Sequence, residues 1–201
     1  IQSCVSEIVS LGNTTYESLK LSCESFLEKD MSKVEKVFKR EKIIDKTEYL
    51  INQYLIKISK SNITDEEYEL VASLMKSTSD MERVGDHCEN IVELSKDMIE
   101  NSLRFSESAK KELEVILDTT MECFKTSIEA INSKSKTIAK DVVTLEQKID
   151  DLEKTLRRSH LKRLSNNDCD SKVGFVFLDA LTNLERIGDH ALNIAQMVMN
   201  N

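Results

Sequence analysis

Apolar residues recur three or four positions apart along nearly the whole chain, and this helical period divides it into six segments: 1–29, 32–60, 65–101, 106–138, 140–165 and 171–199. Polar runs separate them, "KDMS" near 30, "SKSNITDEE" near 62, "NSLRFSESA" near 104 and "SNNDCDSK" near 168. Thr64 followed by Glu67, and Ser106 followed by acids, have the form of helix N-terminal caps. The connections are short, so neighbouring helices are predicted to run antiparallel. The last segment is apolar nearly all round. Leu178, Leu181 and Leu192 share a line with Glu185 and Asp189, while Ile187, Ala191, Ile194 and Val198 face the other way. That helix is expected to be central and its acids at least partly buried. Segment 32–60 repeats the arrangement, with Val34, Val37 and Leu55 on the line of Glu41, Asp45 and Glu48.

Composition strengthens the helical reading. The 201 residues include no proline, no tryptophan and only four glycines, at 12, 85, 174 and 188, which leaves strands few turn signals and makes the fold all-α. A net charge of −8 argues against nucleic acid as a partner, since phosphate contacts need a basic face, and suits cations or basic partners. The cysteines, Cys4, Cys23, Cys88, Cys123 and Cys169, are odd in number and lack C-x-x-C spacing, which fits a reducing compartment rather than a disulfide framework or zinc ribbon. No apolar run approaches the roughly 20 residues of a membrane span. The chain starts with Ile, which is read as a piece cut from a longer protein or as a processed one.

The two halves repeat. Residues 80–94, "DMERVGDHCENIVEL", align with 183–197, "NLERIGDHALNIAQM", at seven identical positions of fifteen. One helix earlier, "REKIIDKTEYLI" from Arg40 and "LEQKIDDLEKTL" from Leu145 match at Glu41/Glu146, Asp45/Asp150 and Glu48/Glu153. Each half is therefore expected to be one three-helix unit, 1–104 and 105–201.

Both matched helices of each half carry Glu-x-x-x-Asp: Glu41/Asp45, Glu82/Asp86, Glu146/Asp150 and Glu185/Asp189. Positions four apart share a helix face, where two carboxylates repel. The bare spacing is weakly informative, because it also occurs at Glu93/Asp97 and Glu114/Asp118, which do not repeat. Its placement on apolar helices gives it weight, since a buried carboxylate needs a proton, a cation or a donor. If the acid faces of two adjacent helices meet, four to six carboxylates converge in an oxygen-rich set suited to hard or borderline metals. The alternative is that these acids pair with Arg83, Arg157, Arg186 and nearby lysines, or line a solvated groove.

A mid-helix glycine costs about 1 kcal/mol against alanine, yet Gly85 and Gly188 recur directly before the Asp. They clear space for a neighbouring backbone or an ion, or permit a tight helix crossing. His87 and His190 lie about 140° round the helix from Glu82 and Glu185, which favours packing or hydrogen bonding over shared ligation. His160, near the line of Glu146, Asp150 and Glu153, is expected to pair with Glu153 rather than join a site. The absence of Glu-x-x-His spacing counts against a di-iron oxidase. Neither a phosphate loop, a nucleophile beside a histidine, nor a nucleotide fingerprint occurs, so no enzymatic activity is expected. The basic "RRSHLKRL" from Arg157 is read as a helix C-terminus, with contact to acidic lipid or protein as the lesser alternative.

The doubled "ERVGDHCENI" and "LERIGDHALNIA", with Glu-x-x-x-Asp on each preceding helix, resemble the PhoU family of phosphate-uptake regulators. "TEYLINQYLIKIS", "RFSESAKKEL", "HLKRLSNNDC" and "FLDALTNLERIGDHALNIA" look most like the PhoU-type cytosolic C-terminal domain of bacterial sodium/phosphate cotransporters. The resemblance covers the chain from about residue 30. It implies two antiparallel three-helix bundles related by a pseudo-twofold, and a regulatory, metal-binding domain controlling phosphate uptake from the cytoplasmic side of the membrane. Its partner would be the transmembrane part of the same chain, with homo-oligomer formation left open. The alternatives are a free-standing PhoU protein acting on a phosphate importer and its sensor kinase, or a structural helical module without a ligand. The implied metal ligands are Glu41, Asp45, Glu82, Asp86, Glu146, Asp150, Glu185 and Asp189, for Fe, Zn, Mn or Mg. Asn183 stands where the first repeat has Asp80, so the second site is expected to be poorer in charge.

Overall fold

The computed structural model describes residues 2–200; Ile1 and Asn201, the outermost positions of the two expected units, lie outside the described residues. The chain forms six helices: α1 (Gln2–Glu28), α2 (Met31–Ser59), α3 (Asp65–Glu100), α4 (Glu107–Ser133), α5 (Lys136–Ser165) and α6 (Ser171–Asn200). Among the described residues there is no strand.

The N-termini are set by side-chain caps. Thr64 and Glu67 form a reciprocal capping box, the Glu67 N–H donating to Thr64 Oγ1 at 3.2 Å and the Thr64 N–H to Glu67 Oε2 at 3.0 Å. Ser106 caps α4, and Asp30 accepts from the Ser32 N–H at the start of α2. The C-termini use non-glycine residues in the left-handed region: Lys29, Ser102, Lys134 and Asn167, with φ between 52° and 59°. After three of them the next N–H reaches back to close the last turn: Leu103 to Met98 O, Ser135 to Ala130 O and Asp168 to Arg163 O. These stops lack the usual glycine, which is why one boundary differs from expectation. By periodicity the α4 pattern runs to 138, but Lys134 ends it, and Ser135 starts α5 by accepting the Ile138 N–H at 3.3 Å.

Packing sorts the helices into two triads. Within each, all three helices touch one another; α3 against α6 and α1 against α4 join the triads, leaving α2 and α5 on the outside. One apolar cluster runs through both, with Phe26, Leu74, Met81, Phe124 and Phe177 fully enclosed. Each such side chain contributes about 1.5–3 kcal/mol of burial free energy. As its all-round apolar pattern requires, α6 is central, packed on α3, α4 and α5.

Candidate functional site

The α2–α3 contact brings acids together. Glu41 points into the bundle with only 5% of its surface exposed, while Asp45 and Asp86 sit at the surface beside it. One carboxylate oxygen from each of the three lies within 4.8 Å of the others. Both Glu41 oxygens are buried without a hydrogen-bond partner. Among the described residues no basic side chain forms an ion pair with Glu41, Asp45, Glu82 or Asp86. The electrostatic consequence is large. Burial, then the nearness of Asp45, Asp86 and Glu89, pushes the Glu41 carboxyl up from 4.5 to about 8. Burial, followed by the charges of Asp86, Glu48 and Asp45, raises Glu82 to about 7. Asp86 and Glu89 are raised as well, chiefly by burial. Glu89 and Glu48 belong to this field although neither was among the expected ligands.

Gly85 makes the site possible. A Cβ there would stand 2.8 Å from Glu41 Oε2 and 3.2 Å from Ile44 Cγ2. The glycine is a notch that seats the Glu41 carboxylate. Gly188, its repeat partner, faces Ile149 Cδ1 at 3.1 Å instead and serves helix packing. Gly85→Ala is expected to keep metal-free stability within about 1 kcal/mol of wild type, because the helix gains propensity while the flexible carboxylate swings out. It is also expected to abolish stabilisation by divalent cations in thermal melts. An undiminished cation response would mean the notch does not position a ligand.

In the second half, three of the four matching acids have a basic neighbour. Asp150 pairs with Lys154 at 2.9 Å, and Arg186 lies 3.7 Å from Glu185 and 3.6 Å from Asp189. Glu146, Asp150, Glu185 and Asp189 are all half-buried, and burial followed by the other acids raises Glu146. Among the described residues, their oxygens do not converge as those of the first half do. The single reading for all eight acids therefore divides: convergent carboxylates without basic partners near α2 and α3, and near α5 and α6 a set in which Asp150, Glu185 and Asp189 have basic neighbours and Glu146 has no ion pair among the described residues.

Two of the histidines bridge the two triads. His190 Nδ1 lies 2.8 Å from Asp80 Oδ1, and Asn193 donates to the same oxygen at 3.2 Å. In the mirrored contact His87 Nδ1 lies 2.9 Å from Asn183 Oδ1, with Asn90 donating at 3.1 Å. The two rings are 5.6 Å apart at the α3–α6 crossing. Asn183 is thus the counterpart of Asp80 as a histidine partner, and its lost charge leaves the acid clusters untouched, contrary to the expectation from the alignment. The expected His160–Glu153 pair is also absent. Glu153 is held by Arg157, while His160 stacks on Phe177 at 4.1 Å and meets Arg163 Nη2 at 2.9 Å. Burial and the Arg163 charge lower His160 to about 4. Arg163 in turn forks onto Glu112, so Arg157 and Arg163 of the basic run are absorbed internally while Arg158 and Lys162 stay exposed.

The PhoU domain family model matches residues 8–95 and 113–198, one copy in each half. A Thermotoga maritima protein described as a phosphate-specific transport system accessory protein PhoU homolog 1 is 25% identical over 200 residues, covering 99% of this chain and 84% of that protein. The crystal structure of PhoU from Pseudomonas aeruginosa superposes with a TM-score of 0.91 at 22% identity, covering 98% of this chain and 94% of that one. That of the phosphate transport system regulatory protein PhoU from Streptococcus pneumoniae gives 0.86 at 19% identity, covering 98% and 92%.

Proposed function

The chain belongs to the PhoU domain family, and from that premise we propose that it is a regulatory accessory protein of phosphate transport that catalyses no reaction itself. The observation that carries this is the doubled domain match spanning both halves. The relatives are described as accessory proteins of a transport system, which favours the free-standing reading over a sodium/phosphate cotransporter tail. Among the described residues no helix is long and apolar enough to cross a membrane, so any transmembrane partner is contributed by other sequence.

The first-half cluster fits a hard cation. Its two buried, unpartnered Glu41 oxygens and the convergent Asp45 and Asp86 oxygens are the donor set such an ion takes. Glu41, Asp45 and Asp86 would hold it, with Glu82 adjacent. A bound cation would neutralise these acids and tie α2 to α3. The second-half acids fit less well, because among the described residues their oxygens do not converge and Lys154 and Arg186 already lie against three of them.

Function is tested in bacteria deleted for their own protein of this family, by measuring phosphate uptake against external phosphate with and without this chain. Restored restraint of uptake at high phosphate is expected. Uptake curves that are identical with and without the chain would remove the proposal.

A further inference from the structure

The outer face of α2 is unlike the rest of this acidic protein. At about 100° per residue, Lys36, Lys39, Ile43, Lys46, Leu50, Tyr54 and Lys57 fall on one stripe with the exposed acid Glu35 at its edge, and Glu41, Asp45 and Glu48 fall on the other side. All seven are exposed, including Ile43 at 56%, Leu50 at 56% and Tyr54 at 55%. The stripe is about 30 Å long at 1.5 Å per residue. Among the described residues none of its four lysines has an ion-pair partner. Because α2 packs only on α1 and α3, no other helix covers it.

The internal repeat supplies the control. The register that pairs Glu41 with Glu146 places Asp141, Thr144, Lys148, Asp151, Thr155, Ser159 and Lys162 of α5 at the corresponding positions. That helix occupies the same outer place in its own triad, yet carries no apolar residue there and no net charge. Neither the helix nor its packing therefore requires the apolar and basic residues of α2. They answer to something outside the triad.

We propose that this face of α2 docks on an anionic lipid bilayer surface. Unpaired lysines flanking apolar groups on a long convex stripe match a headgroup layer, with the lysine ammonium groups at the phosphates and Ile43, Leu50 and Tyr54 entering the interface. The stripe's cations are all lysines, which act as diffuse point charges, whereas a protein carboxylate is recognised best by the arginine fork. Tyrosine is also at home at headgroup depth. The chain's net charge of −8 does not prevent this, because charges beyond about 8 Å are largely screened at physiological salt.

The test replaces α2 residues with their α5 counterparts, which the fold already accepts in the twin position. Wild type is expected to co-sediment with phosphatidylglycerol-containing vesicles and not with pure phosphatidylcholine. Lys36→Asp with Lys39→Thr and Lys46→Asp, or Ile43→Lys with Leu50→Thr and Tyr54→Ser, should each weaken this at least about tenfold with unchanged circular dichroism. Failure of the folded wild type to bind anionic vesicles overturns the proposal. So does binding that both variants retain. If the apolar variant instead converts a dimer to a monomer while wild type ignores vesicles, the face belongs to a second copy of this chain.

Discussion

Stripped of divalent cations, the protein is expected to lose about 2 kcal/mol of stability between pH 6.5 and pH 8. Glu41 sets the window, because its carboxyl is held at about 8 in the fold against 4.5 ordinarily. A raised carboxyl binds its proton more tightly folded than unfolded. Its stabilising contribution is full below 4.5 and is lost as the pH rises through about 8. Glu82, raised to about 7, adds in the same direction. Below 6.5 His87 and His160 act oppositely: both are lowered, His160 to about 4, so the folded state resists the proton that the unfolded state accepts. The decline is therefore clearest above 6.5, where His87 and His160 are largely neutral in both states. Urea midpoints in chelator across this range measure it, and Glu41→Gln should flatten the curve. A wild-type profile that is level or rising from 6.5 to 8 would show that the Glu41 carboxyl does not retain its proton in the fold.

A divalent or trivalent cation should offset the same repulsion, and only in the first half. At a hundredfold excess over its dissociation constant a single-site ligand stabilises by about 2.7 kcal/mol, or roughly 5–10 °C in a chain of this size. Glu41→Gln or Asp86→Asn is expected to remove that shift while raising the melting temperature of chelated protein. Glu185→Gln with Asp189→Asn should leave the shift intact, because Arg186 already lies against both acids and, among the described residues, their oxygens do not converge into a site. Differential scanning calorimetry with Mn, Mg, Zn and Fe, each against chelator, reads both effects. Equal loss from changes in either half would mean that the repeat carries two equivalent sites. No shift in wild type would leave the cluster as a proton-holding feature without a metal.

Local chemistry was legible before any coordinates. The Thr64 and Glu67 box, the Ser106 cap and the central place of α6 follow from residues within a turn or two of one another, because helix starts and apolar faces are determined by near neighbours along the chain. The break between α4 and α5 was not legible to within a few residues. It depends on Lys134 adopting a left-handed backbone that lysine does not advertise.

The sequence by itself determined six helices, two matched halves and four Glu-x-x-x-Asp pairs each facing one way. Only the tertiary structure decided what those pairs do. Glu41 and Glu146 align, yet one is buried against a notch at Gly85 on another helix and the other is half-buried among ion-paired neighbours. His190 and Asp80 meet across 110 positions, and His87 and Asn183 across 96, so their pairing could not be read from either motif alone. The physical reason is common to all three. Periodicity fixes the direction a side chain takes from its own helix, whereas the charge state and role of a buried carboxylate or imidazole depend on what the neighbouring helix presents within a few ångströms.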